Sequence, residues 1–185
     1  MRHSPRVGYL LFGAVIPMVA LMAFGCATTG RKSSLPTVRI NAGATTAYTN
    51  ATGDVWMPDQ GFTGGETITR YGQMEIANTS DPDIYRVERY SMNSFAQELP
   101  NGSYVVNLHF AETFEEISGA GQRVFTFVVE GTEVADFDIY ERAGATRQAH
   151  IEAVPVDIAD GQLDITFTSK VQNSAINGIE ILPGH

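Results

Sequence analysis

Residues 103–111 constrain the fold most. Tyr104, Val106, Leu108 and Phe110 fall on one parity, and Val105, Asn107 and His109 on the other. That two-residue period predicts a β-strand with one buried face. Pro100, Asn101 and Gly102 precede it as a turn, and residues 92–99 carry Phe95 and Leu99 on a weaker alternation. The two runs together predict a hairpin. Residues 123–130, RVFTFVVE, place apolar side chains on both parities, which predicts a central strand covered on both sides. Gly131 and Thr132 then turn the chain into 133–137. Residues 151–158 and 163–168 flank Asp160-Gly161, a strong two-residue turn signal, and predict a second hairpin. Residues 38–41 and 54–56 are short strand candidates. The closing run, 175–182, mixes its parities. Residues 138–145 predict one or two helical turns, and 61–83, rich in Gly and Thr, a long loop of the kind that often carries function. Many short strands with turns between them predict an all-β sandwich.

The N-terminus follows another grammar. Arg2, His3 and Arg6 come first, with no acid, and residues 7–24 carry no charge. A basic start followed by an apolar run predicts a secretory signal. The run is 18 residues long, at the lower edge of a membrane span. Gly8, Gly13 and Pro17 interrupt it, which favours a cleaved signal over a permanent helix. It ends in Leu21-Met22-Ala23-Phe24-Gly25-Cys26, and Cys26 is the only cysteine. A secreted chain with one cysteine makes no internal disulfide, so this thiol needs another role. The segment resembles the lipobox of bacterial lipoproteins, and the resemblance implies a diacylglycerol on Cys26. The expected organisation is a signal peptide over 1–25, a lipidated tether over 26–36 and one sandwich over 37–185. Ala27 after the cysteine favours the outer membrane of a bacterial envelope.

Charge narrows the partners. Removing 1–25 takes away two arginines and no acid, leaving 10 basic against 21 acidic side chains, a formal −11. Such a surface repels nucleic-acid phosphates and leaves neutral sugars unpenalised. Among catalytic signatures, Gly-x-Ser-x-Gly, the phosphate loop, HExxH and Cys/His metal clusters are all absent from the sequence. Asp54, Asp81 and Asp83 lack a calcium-loop spacing, and no metal or cofactor is expected. Glu112, Glu115 and Glu116 read as an acidic solvated loop. A glycosidase using Glu112 and Glu115 is the weaker alternative. His109 reads as a partly buried, hydrogen-bonded strand residue, and His150 as a surface residue at a strand start.

Aromatic and polar residues coincide at expected loop positions: Tyr71, the run 85–90 (YRVERY) and Phe114. Aromatic faces suit the C–H faces of pyranose rings, and loops on a rigid sandwich suit the placement of polar groups. Residues 40–43 (INAG), 56–65 (WMPDQGFTGG), 84–90 (IYRVERY), 108–112 (LHFAE), 123–125 (RVF), 137–140 (FDIY) and 176–183, in that order, resemble a malectin domain. The resemblance covers about 38–183. It implies a jelly-roll-like β-sandwich of the galactose-binding type that recognises glucose-containing di- or oligosaccharides, and the expected function is binding of glucose- or galactose-containing oligosaccharide or polysaccharide without catalysis. Position by position it implies sugar contacts from Tyr71 and Tyr90. Phe114 falls where tyrosine is frequent, Glu115 where a second aromatic is common, and Gln172, with Asn173 beside it, where an aspartate contacts ligand. Glu88 and Arg89 have a structural explanation as a fold-stabilising ion pair or as makers of backbone hydrogen bonds. A rival reading keeps the sandwich and turns the same loops toward an envelope protein partner.

Overall fold

A computed structural model describes residues 34–70 and 74–184, together with Met1, His3, Ser4 and Gly8. The rest of the expected signal segment, Cys26 and Tyr71 lie outside the described residues. No helix among those described is long and apolar enough to cross a membrane.

Among the described residues twelve strands follow in order: β1 (Val38–Asn41), β2 (Tyr48–Thr49), β3 (Val55–Trp56), β4 (Phe62–Thr69), β5 (Val87–Glu98), β6 (Gly102–Phe110), β7 (Val124–Val129), β8 (Thr132–Phe137), β9 (His150–Ile158), β10 (Gln162–Val171), β11 (Ala175–Ile176) and β12 (Gly178–Pro183). A 3-10 turn (Pro82–Arg86) precedes β5, and a short helix, α1 (Ile139–Ala143), follows β8. All strand pairings are antiparallel. Strands β1, β12, β6 and β9 form one sheet, and β11, β5, β10, β7 and β8 a second, to which β4 adds at the far side of β5. One apolar core spans the two sheets. Val106, Leu108, Phe110, Val154 and Ile179 come from the first, and Phe95, Phe127, Phe137, Leu163 and Ile165 from the second. Phe110 meets Phe137 across it at a centroid distance of 4.7 Å. Burying each such ring contributes about 1.5–3 kcal/mol.

The alternation of β6 appears as expected, with Tyr104, Val106, Leu108 and Phe110 each at 1% exposure or less. Neither expected hairpin forms. Strand β5 lies in the second sheet and β6 in the first; β9 lies in the first and β10 in the second. Both short connections therefore cross the core instead of folding a strand back on its neighbour. They lie side by side: Leu99 N–H donates to Gly161 O at 2.9 Å, and Asn101 Nδ2 to Ala159 O at 2.8 Å. Strand β7 is paired on both edges, by β10 and β8. Its faces differ: Phe125, Phe127 and Val129 are buried, while Val124, Thr126 and Val128 are half-buried. It is central within its sheet and not covered on both faces.

The expected loop 61–83 contains a strand eight residues long, β4. As an edge strand it carries exposed side chains on both parities, so it shows no alternation. A register shift between Thr63 and Gly64 bulges it against β5, and Gly65 at φ +73 approaches that strand closely. The mixed parity of 175–182 has a similar cause. Strand β11 joins the second sheet and β12 the first, with Asn177 at the switch. Its buried amide accepts from Ala111 N–H at 2.7 Å and donates to Val87 O at 2.7 Å.

Candidate functional site

Four segments converge at one end of the six-stranded sheet. Glu88 and Tyr90 share a face of β5, two residues apart as the strand period requires. Register sets Glu66 of β4 opposite Tyr90 and Ile68 opposite Glu88, and Arg70 follows β4. Phe114 lies on the β6–β7 connection, and Arg123 just before β7. Gln172, at φ +55, and Asn173 form the turn between β10 and β11.

A buried ion pair ties these segments together. The Glu112 side chain is 1% exposed and that of Arg123 4%. Arg123 Nε donates to Glu112 Oε2 at 2.7 Å, and Nη1 donates to the Asn173 carbonyl. Glu112 Oε1 accepts the Phe114 N–H at 2.9 Å. One pair thus positions both the aromatic of one loop and the turn of another. Beside it, Thr113 Oγ1 donates to Glu88 Oε2 at 2.8 Å, and Arg70 Nε donates to Thr113 Oγ1 at 3.2 Å. Burial pushes the Glu88 carboxyl above its usual range, against the opposing pull of Arg123, the Thr113 hydrogen bond and Arg70. The Tyr90 hydroxyl donates to Glu66 Oε2 at 3.1 Å, and that bond raises its pKa.

These groups enclose a cavity of about 340 Å³, whose wall includes Tyr90, Phe114, Gln172, Asn173, Arg123 and Arg70. That volume lies within the range of small-ligand sites. Phe114 and Tyr90 are half-buried, so their rings are held yet reachable, while Gln172 and Asn173 are exposed. The arrangement offers aromatic faces beside amide, guanidinium and carboxylate groups.

Of the six residues singled out in the sequence, Tyr90, Phe114, Gln172 and Asn173 line this one cavity. Tyr71 directly follows Arg70, outside the described residues. Glu115 lines a neighbouring concavity instead; its side chain is 83% exposed, 3.7 Å from Arg147. Tyr90 belongs to a strand rather than to a loop. Tyr85 is a core residue, 2% exposed, with its hydroxyl 2.9 Å from His109 Nδ1. Glu112 corrects the expectation of a solvated acidic loop, because Arg123 compensates its burial. Arg89 makes both an ion pair, with Asp59, and a backbone hydrogen bond, to the Gly64 carbonyl, whereas Glu88 accepts from the Thr113 hydroxyl. Arg70 and Arg123 were not among the expected site residues. Their signal was a cation at the end of an apolar or Thr-rich strand. Among the described residues no group of His, Cys, Asp and Glu is placed to hold a metal ion.

A malectin-domain family model matches residues 37–181. The chain belongs to the malectin domain family. Malectin-B of Xenopus laevis is 36% identical over 111 residues, covering 55% of this chain and 39% of that protein. Malectin of Homo sapiens is 34% identical over 111 residues, covering 55% and 37%. A probable leucine-rich repeat receptor-like serine/threonine-protein kinase of Arabidopsis thaliana is 34% identical over 123 residues, 62% of this chain and 12% of its own. The chain thus spans at most about two fifths of the length of these relatives. Among solved structures, a beta-glucuronidase of Bacteroides uniformis superposes with a TM-score of 0.72 at 22% identity, covering 81% of this chain and 18% of its own. The ANXUR2 extracellular domain from Arabidopsis thaliana gives 0.69 at 17%, covering 80% and 48%. Both share the malectin domain's sandwich.

Proposed function

We propose that this malectin domain binds a glucose- or galactose-containing oligosaccharide or polysaccharide and does not cleave it. The observation that carries the reading is the placement of Tyr90 and Phe114 on a cavity whose other walls are Ile68 and the planar polar side chains of Arg70, Glu88, Arg123, Gln172 and Asn173. A pyranose stacks its apolar face on an aromatic ring, and amide and guanidinium groups match its hydroxyls. The Glu112–Glu115 pair on which the weaker glycosidase reading depends is not free at this site. Both oxygens of Glu112 are engaged by Arg123 and the Phe114 N–H, and Glu115 stands in solvent. Affinity is modest, because exchanging water for protein leaves little net gain per hydrogen bond.

The same reading places the domain at a bacterial envelope, held by a lipid on Cys26 after removal of residues 1–25, with the outer membrane favoured. Its support is the basic start, the uncharged run and Gly25-Cys26. Radiolabelled palmitate should enter the wild-type chain and not Cys26→Ser; labelling of both, or of neither, refutes the anchor.

A glycan-array screen of the full-length protein in detergent tests the binding. The expected result is retention of glucan or galactan that Tyr90→Ala abolishes. A folded protein that retains no glycan would instead favour the envelope-scaffold reading, which the departures at Phe114, Glu115 and Gln172 suit.

A further inference from the structure

The cavity beside Tyr90 does not stand alone. On the other side of Phe114 lies a concavity of about 370 Å³, walled by Phe114, Tyr140, Thr146 and Arg147, with Glu115 and Ser118 at its polar positions. Arg147 in turn lines a third hollow of about 450 Å³, shared with Ile76 and Pro82. Phe114 belongs to the first and second hollows and Arg147 to the second and third, so the three adjoin in a row.

The dividing residues are fixed by the fold. Arg147, at φ +54, donates its N–H to Glu112 O at 2.8 Å and accepts the Ala77 N–H at 2.8 Å. It therefore clamps the loop that carries Phe114 to the segment that carries Ile76. Strain of this kind persists only where surrounding bonds over-determine it. Tyr140 rides on α1, whose first turn is capped by Asp138 Oδ1 accepting the Glu141 N–H at 3.1 Å. The C-terminal Gly144 N–H returns to Tyr140 O at 2.8 Å. Two half-buried aromatic side chains, Phe114 and Tyr140, thus contribute to the second hollow on rigid supports. Beside them the Arg147–Glu115 pair is exposed and 3.7 Å apart, open enough to exchange its contact for sugar hydroxyls.

We propose that this row is an extended glycan track, so that the malectin domain takes an internal stretch of a neutral polysaccharide across at least two subsites divided by Phe114. Neutrality follows from the formal −11 of the chain without residues 1–25, which repels polyanionic glycans. The inference rests on the carbohydrate reading of the first cavity. Tyr140 supplies a second stacking face, and Arg147 supplies hydrogen bonds at the passage to the third hollow.

Calorimetry of the full-length protein in detergent tests this. The probes are gluco-oligosaccharides of two, four and six units in α-1,4, β-1,3 and β-1,4 linkage. The track predicts affinity rising about tenfold or more from two to six units in the linkage that binds. Tyr140→Leu, which keeps the bulk and removes the ring, and Arg147→Gln should each flatten that rise, with melting temperatures used to confirm folding. Equal affinity for two and six units, or a length dependence untouched by both variants, overturns the track and leaves the single-cavity reading standing. Binding of no probe overturns the track, and a glycan array on which the folded protein retains neither glucan nor galactan overturns the carbohydrate reading with it.

Discussion

Arg123→Met is the most informative single perturbation of the site. The methionine keeps most of the side-chain volume and removes the guanidinium, leaving the Glu112 carboxylate 1% exposed with no cation at 2.7 Å. Removing one partner of a buried ion pair costs about 3–5 kcal/mol. The lost hydrogen bond to the Asn173 carbonyl adds about 1 kcal/mol. At about 2–4 °C per kcal/mol for a domain of this size, the melting temperature falls by roughly 8–24 °C. Adding Glu112→Leu removes the orphaned charge and should recover most of that loss, because a buried pair exchanged for apolar side chains is often close to neutral. Scanning calorimetry of the wild type, both single variants and the double variant reads this as a thermodynamic cycle. An Arg123→Met protein that melts within about 2 °C of wild type refutes the argument. So does a double variant no more stable than Arg123→Met.

Three further outcomes follow from the same geometry. Burial lowers the His109 pKa from 6.5 to about 4, so the folded state keeps it neutral while the unfolded chain takes up a proton. Stability should fall by about 3 kcal/mol as pH drops from about 7 to about 4, and the His109 contribution should flatten below that. Glu88, whose pKa burial raises, acts in the opposite direction. The test is therefore the difference between wild type and His109→Gln in urea midpoints at pH 7 and 4.5, and parallel pH dependences contradict the account. Gly65→Ala drives a Cβ into the Tyr90 carbonyl oxygen at φ +73. It should cost about 1–3 kcal/mol and speed hydrogen exchange along β4, and unchanged exchange there counts against the close approach. Phe137→Ala empties the centre of the aromatic core, where Phe137 is 0% exposed. Chemical denaturation should show a loss of about 3–5 kcal/mol, and a loss under about 1 kcal/mol contradicts the packing.

What the sequence carries is local, and what it hides is long-range. The period of β6 is legible because one of its faces meets the core along the whole strand. The two false hairpins share a cause: Pro100-Asn101-Gly102 and Asp160-Gly161 specify a reversal of the chain, and nothing in either turn says whether the next strand joins the same sheet or the opposite one. Both sheets bury the same kind of residue, so pattern alone does not separate them. The parity break at Asn177 is the trace such a switch leaves. Strand β4 stayed hidden because an exposed edge strand lacks the alternation by which β6 is recognised, and its Gly64-Gly65 bulge reads as loop chemistry. At the site, ordered motifs brought out Tyr90, Phe114, Gln172 and Asn173. The Glu112–Arg123 pair was illegible for a physical reason: a carboxylate beside Thr113 and Glu115 looks solvated until its cation, eleven positions on, is known to be buried with it.

The central claim is that Tyr90 and Phe114 present a sugar platform. Isothermal titration of the full-length protein with the strongest glycan-array ligand, beside Tyr90→Ala and Phe114→Ala, tests it most directly. The account predicts saturable binding by the wild type and a loss of about fivefold or more in each variant, since stacking of a flat base on an aromatic ring, a comparable platform, is worth about 1–3 kcal/mol. Wild-type affinity retained in both folded variants would contradict it.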